Sequence, residues 1–146
     1  MKRIIIYCII LGAVCLIPVQ KQDVATLEPI QAVWMSEENG EVVLKTDTED
    51  QGIGNNVQEA LTNMKDQSTG MVYLDTAQFL LVTETAKHRI PEIANELKSS
   101  VRVCLWEGKG ELADAARYMP ARKLGARLGK WQENDALPVV PDLPEK

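Results

Sequence analysis

His88 is the only histidine in the 146-residue chain. Acid–base chemistry near neutral pH therefore rests on one imidazole. Its neighbours Lys87 and Arg89 point to an exposed turn, and no serine–histidine–aspartate or cysteine–histidine pairing follows from the spacing. Carboxylates offer more. Asp75-Thr76 is the one polar break in the apolar stretch from Met71 to Val82, and residues 47–50 read Asp-Thr-Glu-Asp. A small envelope hydrolase or a metal-dependent enzyme would use Asp75 and this acidic loop. From Asp47 onward, oxygen ligands recur at alternate positions and Gly52 is sixth, as in a calcium loop. The twelfth position is Gln58, where a bidentate glutamate belongs, and no helix precedes the loop. It reads as a solvated acidic turn. Asp75-Thr76 reads as a bend whose side chains cap nearby backbone groups.

Gly52-Ile53-Gly54 resembles half of a dinucleotide fingerprint, but Val57 stands where the third glycine belongs, and Asp47, Glu49 and Asp50 would repel a pyrophosphate. Cys104 sits on a predicted strand as a buried, inert thiol. No catalytic residue, cofactor site or metal site is assigned. One candidate surface remains. From Pro120 to Trp131 the spacing predicts a helix. Arg122, Lys123, Arg127 and Lys130 fall within an arc of about 140°, opposite Leu124, Leu128 and Trp131. Two readings stand: the apolar face packs on the sheet and the basic face is solvated, or the helix lies on an anionic leaflet with Trp131 at the interface.

The elements that must position these residues follow from periodicity. The central stretch, Thr69 to Glu84, is rich in β-branched and aromatic residues and reads as strand on both sides of a bend. Leu80 and Val82 are expected in the core. Ile30–Met35 and Glu41–Thr46 read as strands joined by a hairpin at Asn39-Gly40. Thr46 to Gly54 reads as a loop. Val57, Ala60, Leu61 and Met64 mark one helical face, with Asn55 or Asn56 as its cap. Ile90, Ile93, Ala94 and Leu97 mark a second helix, Val101–Trp106 another strand, and Leu112, Ala115, Ala116 and Met119 a third helix closed by Pro120. The expected fold is a small two-layer α/β sandwich with a mixed sheet.

Composition sets the frame. Apolar residues make up 45% and charged residues 25%, ordinary for a globular protein. Lys2 and Arg3 precede an apolar run from Ile4 to Ile17, the pattern of an export signal. No small-x-small cleavage site follows Pro18. Residues 1–20 are thus expected to be a signal peptide or an uncleaved membrane anchor. Residues 21–28 form a spacer, 29–131 the domain and 132–146 a proline-containing flexible tail. The positive flank directs the N-terminus inward and the domain outward. Beyond residue 20 the chain holds fourteen basic against twenty-one acidic side chains, which argues against nucleic acid as a partner. Cys104 is the one cysteine outside the apolar run, so the domain has no internal disulfide, and this points to a Gram-positive envelope.

From about Gly52 to Met119 the order of elements resembles the N-terminal region of the lipoprotein C subunits of bacterial spore-germination nutrient receptors. The residues that carry the resemblance are the helix Val57 to Met64 and the run Phe79-Leu80-Leu81-Val82-Thr83-Glu84-Thr85-Ala86. The resemblance implies a non-enzymatic, exported α/β domain and supplies no catalytic residues. The expected function is a membrane-associated extracytoplasmic domain, held by residues 4–17, that binds a protein partner or the membrane surface.

Overall fold

The computed structural model describes residues 29–122 and 125–143. The expected signal or anchor, the spacer and Lys123 lie outside the described residues. Six strands form one mixed sheet: β1 (Ala32–Glu38), β2 (Glu41–Thr46), β3 (Gln51–Gly54), β4 (Phe79–Val82), β5 (Arg102–Leu105) and β6 (Ala126–Arg127). Their spatial order is β3-β2-β1-β4-β5-β6. β1, β4 and β5 run parallel at the centre, and antiparallel strands flank them.

Local chemistry explains the first half. Asn39 and Gly40 both take positive φ, 54° and 83°. That is the conformation a two-residue hairpin requires to match strand twist. α1 (Val57–Gln67) starts at Asn56, whose Oδ1 accepts the Glu59 N–H at 2.8 Å, while Glu59 Oε2 accepts the Asn55 N–H at 2.9 Å. These bonds satisfy amides that helix geometry leaves open. α2 (Ile90–Ile93) is short, with Pro91 in its first turn, and passes into turns before Leu97.

All four residues of β4 are buried, Leu80 and Val82 completely. Alternate side chains leave opposite faces of a strand, so both faces of the sheet must be covered. On one face Val33, Met35, Leu80 and Val82 pack with α1, α2 and Leu97. On the other, Phe79, Leu81, Cys104 and Trp106 pack with Ala115, Ala116 and Met119 of α3 (Leu112–Arg122) and with Val140. The mixed α/β character holds. The expected two layers become three over the centre of the sheet, because β4 has no solvent face.

Three further differences are local. Gln51–Gly54, expected in a loop, is a strand, with α1 pressed onto its glycines. Met71–Leu74, expected to be strand, is irregular chain leading into a 3₁₀ turn at Leu74–Thr76, with Met71 and Tyr73 exposed. The helix expected from Pro120 to Trp131 does not form. α3 runs through Pro120 to Arg122, Gly125 has φ 109°, Ala126–Arg127 is β6, and Leu128–Lys130 is a 3₁₀ turn. A positive φ is incompatible with a right-handed helix. A Cβ on Gly125 would lie 2.6 Å from the Arg102 Cβ, so glycine also permits the close approach of this segment to β5.

The C-terminal segment, expected to be flexible, packs along β5 as far as Leu143. Leu105 N–H donates to the Pro138 carbonyl and Val140 N–H to the Leu105 carbonyl, each at 2.8 Å. Leu137 and Val140 are buried.

Candidate functional site

The sequence candidates separate to two ends of the sheet. Asp47 lies where β1 begins. Its carboxylate accepts the Gln31 N–H at 3.0 Å and the Ala32 N–H at 3.2 Å, fixing the entry of the strand. The remainder of the acidic turn satisfies itself. Thr46 Oγ1 and Thr48 Oγ1 are 2.8 Å apart, and Asp50 N–H donates to Thr46 Oγ1 at 3.1 Å. Among the described residues no group of three or more histidine, cysteine or acidic side chains is placed to hold a metal. Asp75 is near the same end, since its neighbour Thr76 donates to the Ile30 carbonyl at 3.0 Å. The Asp75 carboxylate raises the pKa of the exposed Tyr73 hydroxyl through a hydrogen bond and its negative charge.

His88 lies at the other end. Its Nε2 is 3.2 Å from Glu37 Oε2, an ion-pair distance without hydrogen-bond alignment. Arg89 Nη2 reaches Glu37 Oε1 at 3.3 Å, and Nη1 reaches Glu92 Oε1 at 2.9 Å. These bonds, that to Glu92 first, raise the already high pKa of Arg89. Between Asp47 and Glu37 runs the length of β1, about 20 Å at 3.3 Å per residue. Asp47, Asp75 and His88 therefore do not form one centre.

The basic arc is also dissolved. Arg127 lies on β6 directly opposite Arg102, and Lys130 closes the following 3₁₀ turn. Both Arg127 and Lys130 are exposed. Arg122 ends α3 on a separate element. Trp131 is half-buried against the core on the α1–α2 side, and its Nε1 is buried.

A different constellation stands out on the α3 face. In register, Trp34, Leu81 and Cys104 form one transverse row across β1, β4 and β5. The next row along the parallel strands is Ser36, Thr83 and Trp106. The ladder reaches it through Thr83 N–H to the Met35 carbonyl at 3.1 Å and Trp106 N–H to the Val82 carbonyl at 2.9 Å. Period-two alternation puts the two residues of β1, Trp34 and Ser36, on the same face. Ser36, Thr83 and Trp106 are 2%, 6% and 3% exposed. Thr83 Oγ1 is satisfied by Thr85 Oγ1 at 2.9 Å. Among the described residues, Ser36 Oγ and Trp106 Nε1 have no hydrogen-bond partner.

Beside this row opens a groove of about 120 Å³ lined by Trp34, Lys45, Trp106, Gly108, Gly110 and Leu112. Trp34 and Trp106 meet edge to face, with centroids 6.2 Å apart at 75°. Trp34 Nε1 donates to the Trp106 carbonyl at 3.3 Å. Lys45 Nζ stands 5.1 Å from the Trp34 ring centroid, a cation–π contact. Gly108, at φ 79°, lies against Trp34, where a Cβ would come 2.9 Å from Cζ2. The lining contains a cation, indole donors and backbone, and no carboxylate. It lies toward the carboxyl ends of the parallel strands, where open α/β sheets hold their ligands.

Sequence reasoning missed this groove because Trp34 and Trp106 are 72 positions apart and each reads as an ordinary apolar strand residue. The usable signal was the pair Gly108 and Gly110 directly after a strand that ends in tryptophan. No protein-family model, curated protein or solved structure matched this chain.

Proposed function

We propose that this chain is a non-catalytic domain tethered to the outer face of a bacterial membrane, which binds a partner through the groove at Trp34, Lys45 and Trp106. The observation that carries the reading is the unsatisfied Trp106 indole N–H, buried in the wall of a groove that offers donors and aromatic surface. Leaving such a donor unpaired costs about 1–3 kcal/mol, which a bound acceptor offsets. The apolar run from Ile4 to Ile17 behind Lys2 and Arg3 supports the tether. The resemblance to germination-receptor C subunits supports the same topology and suggests the spore envelope as the setting. The rival hydrolase reading, which would use Asp75 and residues 47–50, has less support, because His88 lies at the opposite end of β1 from these carboxylates.

The test is a cross-linking experiment on the full chain in growing and sporulating cells. A photoreactive residue at Lys45 is compared with one at Ile53, which is 42% exposed on β3. A discrete adduct from position 45 alone, recovered with membranes and accessible to protease from outside, supports the reading. Full-length protein recovered in the cytosol, or identical adducts from both positions, overturns it.

A further inference from the structure

We infer that the groove is a carboxylate-binding site, in which Lys45 supplies the charge and Trp106 Nε1 supplies a hydrogen bond. The inference rests on the reading of the groove as the partner-binding surface and assigns its ligand chemistry.

Three observations converge. First, Trp106 lines the groove, and its buried indole N–H has no hydrogen-bond partner among the described residues. An indole N–H only donates, so the missing group is an acceptor. Second, the one charged residue that lines the groove is positive. Lys45 stands over Trp34, and no carboxylate of the described residues is within ion-pair distance of it. An acceptor that is also an anion gains charge-assisted bonds, stronger than those of a neutral acceptor. Third, the space fits a small group. About 120 Å³ is several times the ~10–15 Å³ that admits one water, yet small against a drug-sized pocket of roughly 300–1,000 Å³. A carboxylate with its adjoining carbons fills it, the carbons against Leu112 and the tryptophan rings.

The carboxylate has two sources: a free short-chain acid, or the C-terminus of a peptide. The groove opens to solvent beside Gly110, which is exposed, so a chain can trail outward from a bound terminus.

The experiment uses the full chain, ¹⁵N-labelled at its three tryptophan indoles. Acetate, N-acetyl-alanyl-alanine and acetamide are titrated at matched ionic strength, and the indole resonances are followed by NMR. The expected result is a saturable shift of the Trp106 N–H with both acids. Acetamide should need a concentration about tenfold higher or more, the discrimination expected of a charge-assisted site. Lys45→Gln should weaken acid binding by about the same factor and leave the folded spectrum unchanged. Trp106→Phe keeps most of the ring volume and should weaken acid binding read by calorimetry. If acetate is bound as tightly as the peptide acid, the source is a small acid; if the peptide is preferred, it is a chain terminus. Both results support the carboxylate assignment.

Two results overturn it. One is the absence of a saturable shift with either acid, together with a persistent water contact to the Trp106 N–H, which means an internal water alone fills the site. The other is acetamide binding as well as acetate, which means a neutral acceptor. None of these readouts depends on where the protein resides in the cell. Failure of the tether and failure of the groove are therefore read separately.

Discussion

Gly52 of β3 lies against Ala60 of α1 so closely that a Cβ on Gly52 would overlap the Ala60 carbonyl oxygen. Gly54, two residues on, would put its Cβ 2.5 Å from the Ala60 N. α1 therefore rests directly on the backbone of an edge strand. The paired glycines look like a nucleotide loop in sequence, but here their role is helix–strand contact.

Gly52→Ala should consequently destabilise the domain by about 1–3 kcal/mol or more, the range for overpacking a filled site. Gly70→Ala is the control, since nothing lies within 4 Å of a Cβ there. Urea melts of the two variants compare them. Equal stabilities would mean that α1 shifts away from β3 at no cost.

Much of the fold was legible because local chemistry and tertiary packing agree. Asn39-Gly40 makes the hairpin, Asn56 caps α1, and Phe79 to Val82 is the buried central strand. Failures occurred where a contact across the molecule decides. Gln51–Gly54 has poor strand propensity, yet it pairs with Val42 to Lys45 because glycine lets α1 approach. Its outer edge is also guarded: the Asn63 side chain donates to the Ile53 carbonyl at 2.7 Å, occupying an edge acceptor. Pro120 looked like a start and is instead inside α3, while Gly125 decides where the helical path must end. Ser36, Thr83 and Trp106 fall in one row, beside the groove, only through the parallel register of three strands. No spacing in the sequence encodes that register.

Glu37 discriminates between its two cationic neighbours. Its side chain is 17% exposed, Arg89 is 21% exposed and His88 is 57% exposed. Removing the exposed partner should cost less than about 1 kcal/mol. Arg89→Ala leaves the half-buried carboxylate of Glu37 and the exposed one of Glu92 without their bridging guanidinium, and should cost about 1–3 kcal/mol. Denaturant melts of His88→Ala and Arg89→Ala at neutral pH check the order. A larger loss for His88→Ala would contradict the assignment of Arg89 as the structural partner.

Burial pushes the Cys104 thiol up to about 12, against the opposing pull of the Arg102 charge. The unfolded thiol titrates near 9.0. The folded state thus keeps its proton to higher pH than the unfolded state does. Its contribution is fully present below about pH 9 and is lost as pH rises toward about 12, at up to ~1.4 kcal/mol per pH unit. With Cys8 and Cys15 replaced by serine, thiol reagents at about pH 8 should label Cys104 only on unfolding. The stability difference between this protein and its Cys104→Ala derivative should shrink between roughly pH 9 and 11. Rapid labelling of the folded protein, or a pH-independent difference, would contradict the burial argument.

The C-terminal segment supplies the last test. Leu137 is 7% exposed and belongs to the core on the α1–α2 side, whereas Val140 is 3% exposed and belongs to the core under α3. Leu105 donates to Pro138 and accepts from Val140, so the segment pairs with β5 in a parallel bridge at Val139. It therefore reaches both layers of packing from one edge of the sheet. Each buried aliphatic side chain is worth about 1.5–3 kcal/mol, so removing residues 137–146 should cost roughly 3–6 kcal/mol. That is a large fraction of the roughly 5–15 kcal/mol that keeps a domain folded. Val139 points outward at 65% exposure. Val139→Ala should stay within about 0.5 kcal/mol of the parent, while Val140→Ala should lose measurably more. Urea melts of the three proteins decide it. If truncation after residue 136 left the midpoint unchanged, the segment would be a passive strap, and the stability of β5 would have to come from β4 and β6 alone.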